Sequence, residues 1–405
     1  MAIDKSVPPL ANSGYTLEDI GSIAVRAQNF VDYVRQQLFS PDQSKQAPRF
    51  NLAQLAAACH VDKNAINRRL AKPENLPVGT AVNPARREFT LAELREWVRA
   101  YKLHYERKPG QAGAVIATGN FKGGVSKTTT TVNMALGLSL KGYKVLLIDF
   151  DPQGSLTNLM GVSPEMEVEE EHTFMPLAAG DSTSLRPAIR PTYWDGVDLV
   201  PASVALNNAD FYLPLRQSQD SSFKFWDVLG QALRDDGILV EYDYVFIDTP
   251  PSLSYLTLNA FWAADGLLVP LPPEGPDFAS SIQFWTLFSE LGRTIEGGLE
   301  PSERKRYSWV RVLPSKVDHT KPTTAPMLEW MRTAYGMEML PLEIPATSAV
   351  SYAGTQFGSI YDISKYVGSA KTYVRARSAY DALVDKIDSL TRVYKWGVSE
   401  KGTAP

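Results

Sequence analysis

Residues 114–129 read Ala-Val-Ile-Ala-Thr-Gly-Asn-Phe-Lys-Gly-Gly-Val-Ser-Lys-Thr-Thr. An apolar run, a glycine turn and a helix start, in that order, make a cradle for nucleotide phosphates. The backbone N–H groups of Gly123, Gly124, Val125, Ser126, Lys127 and Thr128 are expected to turn inward on phosphate oxygens, and side chains at 123 and 124 would obstruct that approach. The helix that follows, expected from Thr128 to Leu140, brings its positive dipole end to the same place. Lys127 supplies a point charge and Thr128 a hydroxyl for Mg²⁺, with Thr129 next in the cradle.

Working outward, Lys144-Val-Leu-Leu-Ile-Asp149-Phe-Asp151-Pro-Gln-Gly154 reads as a strand that delivers two carboxylates at its end. Asp243-Tyr-Val-Phe-Ile-Asp248-Thr-Pro-Pro251 is another buried strand ending in an acid, the Walker B arrangement, with Asp248 holding Mg²⁺ through a water or through Thr128. The stretch 252–264 is then placed to sense the γ-phosphate. Apolar runs at 115–118, 144–148, 197–201, 244–247, 266–271, 309–313 and 337–342 alternate with helical segments. That alternation predicts an α/β fold, a doubly wound and mainly parallel sheet covered by helices, with its ligand at the carboxyl ends of the strands.

The chain has 405 residues, 44% of them hydrophobic, enough for roughly two to three domains. Its net charge of −4 is unevenly placed: residues 1–110 carry 16 Lys and Arg against 11 Asp and Glu, the remainder 25 against 34. A basic front on an acidic body suits a local nucleic-acid surface, and equally a solvated helical face. Cys59 is the single cysteine, so no intramolecular disulfide forms and there are too few ligands for an iron–sulfur cluster. The opening Met1-Ala2-Ile3-Asp4-Lys5-Ser6 lacks the layout of a signal peptide, and no apolar stretch near 18 residues spans a bilayer. A cytoplasmic protein is expected.

Ahead of the cradle lie two all-α stretches. Thr16 caps a helix in which Asp19 favours the first turn and Ile20, Ile23, Ala24, Ala27, Phe30, Val31 and Val34 recur at helical spacing. Its apolar stripe needs a partner, for which a second subunit serves, and 40–48 reads as a linker. Residues 50–71 have the layout of a helix-turn-helix, or of an ordinary helical hairpin. Leu52, Leu55 and Ala56 face inward from the first helix and Ala65, Ile66 and Leu70 from the second, which leaves Lys63, Asn64, Asn67, Arg68 and Arg69 for a DNA groove and its phosphates. Residues 73–87 read as a turn or wing carrying Arg86 and Arg87, and Thr90-Leu-Ala-Glu93 as a capping box for a helix to Tyr105. Arg107-Lys108-Pro109-Gly110 marks the next boundary, giving three regions: 1–46, 47–110 and 111–405.

The glycine usual just before the cradle lysine is Ser126 here, and Lys122 adds an early second lysine. Lys-Gly-Gly-x-x-Lys-Thr-Thr resembles the deviant Walker A box of the ParA/MinD superfamily of dimerising ATPases. The resemblance extends over about residues 113–395, through Thr257-Leu-Asn-Ala260, 264–270 and 342–362. With the N-terminal helix and helix-turn-helix, the chain looks like the large, plasmid-type partition ATPases. The resemblance implies that ATP and Mg²⁺ are the cofactors and that Lys122 reaches the partner's nucleotide in a sandwich homodimer. It implies catalysis by Lys122, Lys127 and Asp151, the last aligning the attacking water. It assigns the metal to Thr128, Asp248 and Asp149, with Asp149 acting through the metal's water shell or by fixing the loop after it. It implies partners too: nonspecific DNA bound by the ATP dimer, operator DNA bound through the helix-turn-helix, and a ParB-type centromere-binding protein that stimulates hydrolysis. A filament on DNA is left open, and the place of action is the nucleoid.

The basic run Lys371-Thr-Tyr-Val-Arg375-Ala-Arg377 is assigned to nonspecific DNA, with a solvated helix face as the alternative. Residues 380–395 carry Asp381, Asp385 and Asp388 among their apolar positions, which suits a packed surface helix better than the lipid-seeking tail of a MinD-like membrane ATPase. A repressor with an inert ATPase fold is weakened by the intact Lys122, Lys127, Asp151 and Asp248, and a synthetase of the dethiobiotin type has no use for residues 1–110.

Overall fold

The computed structural model describes residues 15–39, 45–72, 74–83, 86–355, 357–363 and 366–398. The reading of Met1 to Ser6, most of the 40–48 linker, and Pro73, Pro84 and Ala85 of the wing lie outside the described residues. The chain divides into two compact units, 1–46 and 47–405. The first contains helix α1 (Leu17–Phe39). Thr16 and Asp19 cap it reciprocally, Asp19 N donating to Thr16 Oγ1 at 3.2 Å and Thr16 N to Asp19 Oδ2 at 2.8 Å. Its Ile20, Ile23 and Phe30 are exposed.

The second unit opens with β1 (Phe50–Asn51), α2 (Leu52–Ala58), α3 (Lys63–Leu70), β2 (Thr80–Asn83), β3 (Arg86–Phe89) and α4 (Leu91–Ala100). Local chemistry sets each boundary. Asn51 and Gln54 form a capping box on α2, Asp62 accepts from Ala65 N at 2.7 Å to start α3, and Thr90 with Glu93 caps α4. α4 stops at Ala100, five residues before the sequence expectation, because Tyr101 already leaves the helix. The three strands form an antiparallel sheet in the order β1-β3-β2.

The remaining elements build the α/β core: β4 (Ala114–Thr118), α5 (Lys127–Leu140), β5 (Val145–Asp149), α6 (Ser155–Leu159), α7 (Met175–Ala179), β6 (Arg190–Pro191), β7 (Val197–Val200), α8 (Ala209–Gln219), α9 (Val228–Asp235), α10 (Ile238–Glu241), β8 (Tyr244–Asp248), α11 (Tyr255–Ala263), β9 (Gly266–Leu271), α12 (Gly275–Glu296), β10 (Trp309–Pro314), α13 (Thr324–Tyr335), α14 (Ser348–Thr355) and α15 (Ala370–Tyr394). Seven strands make one sheet in the order β10-β9-β4-β8-β5-β7-β6, parallel except for β6 against β7. Every residue of β4, β5, β8 and β9 is buried, the mark of a sheet covered on both faces. The 337–342 run is not a strand. Gly336–Glu338 form a 3₁₀ turn and only Met339 bridges β10, at Val312, since Pro341 has no N–H to extend a ladder.

α5 and α15 pack together, and Tyr380, Leu383, Val384 and Ile387 turn the inner face of α15 into the core. Asp388 on that face is buried and accepts from Tyr143 Oη at 2.8 Å and Tyr244 Oη at 2.9 Å, so this carboxylate is a structural node.

The boundary read at 107–110 is tied down in the structure. Arg107 pairs with Asp243 at 2.9 Å and donates to the carbonyls of Gln111, Leu239 and Val240. α4 is fastened to the far end of α5 by Arg95, 4% exposed, whose guanidinium donates to Ser139 O at 3.0 Å and Tyr143 O at 2.8 Å and pairs with Asp195. Gly196, at φ +77°, makes room, because a Cβ there would sit 2.0 Å from Arg95 Cζ. Arg95→Met strands these carbonyls, and unfolding by urea is expected to show a loss of about 2–3 kcal/mol; a loss within about 0.5 kcal/mol, the range of an ordinary surface substitution, would show that the anchor is dispensable.

Candidate functional site

The strand order brings the chemistry together. β4, which feeds the cradle, lies beside β8, and β8 lies beside β5, with Thr118 opposite Asp248 and Asp149 opposite Asp248 in register. Three strand ends separated by up to 130 residues of sequence therefore deliver the cradle, Asp248 and Asp149 side by side.

The loop 119–126 is pinned from both sides. Asn120 Nδ2 donates to Pro270 O at 2.9 Å and its Oδ1 accepts from Lys122 N at 3.1 Å, while Ser315 Oγ donates to Val125 O at 3.0 Å. Gly124 has φ +74° and Ser126 φ +76°. Ser126 thus adopts the left-handed backbone that glycine takes without strain, a cost of about 1–2 kcal/mol held in place by the surrounding contacts. The protein itself does not crowd Gly123 or Gly124: a Cβ at 123 would meet only Pro251 Cβ at 4.0 Å, and one at 124 nothing within 4 Å. The space on that side is free for a ligand.

Thr128 Oγ1 donates to Asp248 Oδ2 at 2.6 Å. Asp248 is fully buried, and its Oδ1 has no hydrogen-bond partner among the described residues. Burial, and then the neighbouring Asp149, holds its carboxyl well above the usual carboxylate range. Lys127 is 6% exposed, and burial pulls its ammonium below the ordinary lysine value. Its Nζ donates to Lys122 O at 3.0 Å. An orphaned carboxylate oxygen beside a threonine hydroxyl, in a site where acids outnumber the buried cation, fits a hydrated divalent cation.

Asp149 is also fully buried, and desolvation pushes its carboxyl up to about 7. Both of its oxygens are engaged: Oδ1 accepts from Asp151 N at 3.1 Å, and Oδ2 from Thr157 N at 2.9 Å and Thr157 Oγ1 at 2.7 Å. Asp149 thus holds the segment that follows β5 at both Asp151 and Thr157. Asp151 is half-buried, and its Oδ1 accepts from Gln153 N at 3.0 Å. It lines a cavity of about 450 Å³ together with Gly123, Gly124, Ser126, Lys127, Thr128, Thr129, Pro251 and the start of α6. Lys122 points elsewhere, its Nζ lying 2.7 Å from Asp277 Oδ2.

Ser155, Asn158 and Leu159 of α6 line the cavity without having been singled out in the sequence, and so do two residues from distant parts of the chain, Lys316, after β10, and Phe357, after α14. Lys316 and Phe357 have left-handed backbones, φ +50° and +48°. Asp277 escaped as well.

In the N-terminal module of this unit, Lys63, Asn64, Asn67 and Arg68 are exposed along α3, beside a groove of about 550 Å³ between α3 and the β2–β3 hairpin. Arg69 differs, with its guanidinium 5.1 Å from the Tyr101 ring centroid. Arg87 is spent on the hairpin, donating to the carbonyls of Val78 and Gly79. On α15, Lys371 and Arg375 are exposed. Arg377 instead pairs with Asp381 at 3.1 Å and lies 4.0 Å over Tyr361, because its helical position faces the 359–363 segment.

The model of a family described as an AAA domain matches residues 113–299. A protein of Sinorhizobium fredii provisionally named replication protein A is 31% identical over 376 residues, covering 89% of this chain and 90% of that protein. Protein SopA of Escherichia coli K12 is 28% identical over 330 residues, 80% of this chain and 83% of SopA. The chromosome partitioning protein ParA of Caulobacter vibrioides is 34% identical over 263 residues, 63% of this chain and 89% of that protein. The chain belongs to the ParA/SopA family of P-loop ATPases. Among solved structures, a cobyrinic acid a,c-diamide synthase from Mycobacterium smegmatis with a bound ATP analogue and magnesium is 28% identical with a TM-score of 0.53, covering 71% of this chain and 97% of that one. This ParA/SopA-family chain has no helix, among the described residues, that is long and apolar enough to cross a membrane.

Proposed function

We propose that this protein is a DNA-partition ATPase with ATP and Mg²⁺ as cofactors. It closes as an ATP-sandwich homodimer on nonspecific DNA, hydrolyses ATP when stimulated by a ParB-type partner, and represses its own operon. The observation that carries this reading is the separation of the two lysines. Lys127 is buried in its own cradle, whereas Lys122 stands at the rim with a side chain 37% exposed and its ammonium on Asp277. A cation placed there, outside its own cradle, can be given up to a second subunit.

Lys127 and the backbone N–H groups of 123–128 bind the phosphates, and Asp151 at the cavity wall orients the attacking water. Thr128 and Asp248 hold Mg²⁺, which when bound neutralises charge on the phosphate oxygens. Asp149 fixes the loop that carries Asp151 by holding Thr157. The partner subunit's copy of the early lysine supplies the charge that an arginine finger gives elsewhere.

The functional division is 1–46 for dimerisation, 47–110 as a winged helix-turn-helix for operator DNA, and 111–405 for ATP. Lys63, Asn64, Asn67 and Arg68 read the operator, and Lys371 and Arg375 contact nonspecific DNA in the nucleoid. Arg69 and Arg377, held against Tyr101 and Tyr361, support those surfaces from behind.

The test is ATP hydrolysis by the full chain, alone, with random duplex DNA, and then with the product of a neighbouring reading frame. Turnover is expected to rise at each addition and DNA binding to require ATP. Absence of turnover in all three would overturn the reading.

A further inference from the structure

We propose that Asp277 is a latch: it holds Lys122 inside its own subunit, and closure of the ATP dimer exchanges this ion pair for the partner's nucleotide. The inference rests on the sandwich-dimer reading above and adds to it the group that Lys122 must leave.

Asp277 lies in the first turn of α12, three residues after the N-cap Glu274, and is 5% exposed. Lys122 Nζ sits 2.7 Å from its Oδ2. A carboxylate there is stabilised by the positive end of a 22-residue helix as well as by the lysine. Asp277 therefore keeps a favourable environment when Lys122 departs, which makes the pair exchangeable. A buried acid with no such support would hold its cation far more tightly.

The backbone of Lys122 is separately fixed, its N–H on Asn120 Oδ1 at 3.1 Å and Asn120 in turn on Pro270 O at 2.9 Å. Release therefore requires only the flexible side chain to swing, not the loop to rebuild. The cradle lysine touches the same residue through its main chain. Lys127 Nζ donates to Lys122 O at 3.0 Å, and phosphates in the cradle compete for that ammonium, removing one of the contacts that hold residue 122. ATP leaves the ion pair of its own subunit in place and offers, in the other subunit, the target for which Lys122 exchanges it. With the cradle empty, Lys122 is retained and the rim presents a neutral pair to an approaching copy.

The experiment uses the full chain. Lys122 labelling by acetic anhydride, read by mass spectrometry without nucleotide, is compared between wild type and Asp277→Asn, and ATP-dependent dimerisation is followed by light scattering. Asp277→Asn is expected to label faster at Lys122 and to dimerise at about five-fold lower ATP, the fold-change of a partly exposed ion pair; Asp277→Glu, which keeps a carboxylate in reach, is expected to move both back toward wild type. Should Asp277→Asn not fold, Asp277→Ser carries the same comparison. If wild type dimerises with ATP and the variant matches it in labelling or in threshold, the latch is refuted and the sandwich stands. If wild type does not dimerise with ATP, the sandwich reading falls and the latch with it.

Discussion

Lys127→Ala is expected to abolish ATP binding, with affinity falling by about 100-fold or more, whereas Lys122→Ala is expected to bind ATP nearly as wild type and to lose dimer closure and hydrolysis. The difference follows from where each ammonium sits. Lys127 opens α5, is 6% exposed, and is the buried cation nearest the cradle, with Asp248 and Asp151 setting its surroundings. Removing it leaves phosphate charge facing Asp248 and Asp151 without the one buried side-chain cation of the cradle. A charge-assisted contact of that kind contributes about 3 kcal/mol, or roughly two decades of affinity. Lys122 lies on Asp277, so its loss does not touch the cradle of its own subunit. Isothermal titration with Mg·ATP, paired with light scattering, separates the two. Equal loss of affinity in both variants would show that Lys122 serves its own nucleotide and would count against the sandwich.

Asp151→Ala is expected to lower ATP turnover by about 10²–10⁴-fold, the range for a positioned acid–base or water-orienting group, while leaving ATP affinity unchanged. The alteration is local. The Asp151 side chain makes one hydrogen bond, to Gln153 N, and the backbone of the segment is held from Asp149, whose Oδ1 accepts from Asp151 N and whose Oδ2 holds Thr157. Thr128, Asp248 and the cradle keep their geometry, so such a protein is expected to persist as the ATP dimer on DNA. Single-turnover hydrolysis measured beside nucleotide binding checks this, and wild-type turnover in the variant would remove Asp151 from the mechanism.

Much of the core was legible because its signals are local. A strand, a glycine turn and a lysine-threonine helix start are contiguous, and the apolar runs at 115–118, 144–148, 244–247, 266–271 and 309–313 each became a strand within a residue or two. Capping chemistry located helix starts at Thr16 and Thr90 for the same reason, a cap being decided within about four residues, while the caps at Asn51 and Asp62 came to light only in the structure. The run at 337–342 failed where apolarity alone was the signal, since Pro341 cannot join a ladder and nothing in hydropathy records that cost.

By itself the sequence determined the cradle, the two acid-ended strands, the parallel α/β class and the residue types available for phosphate and metal, because each depends on neighbours along the chain. Tertiary structure alone decided which of those groups meet. The order β4-β8-β5 sets Asp149 and Asp248 opposite one another, and burial there, which no composition reveals, turns Asp149 into a loop anchor with both oxygens occupied. Packing across 155 residues of sequence gives Lys122 to Asp277, and helix phase turns Arg377 onto Tyr361 and Asp381 while leaving Arg375 exposed. A charge's role depends on what lies within a few ångströms of it, and for these residues that neighbour comes from a distant part of the chain.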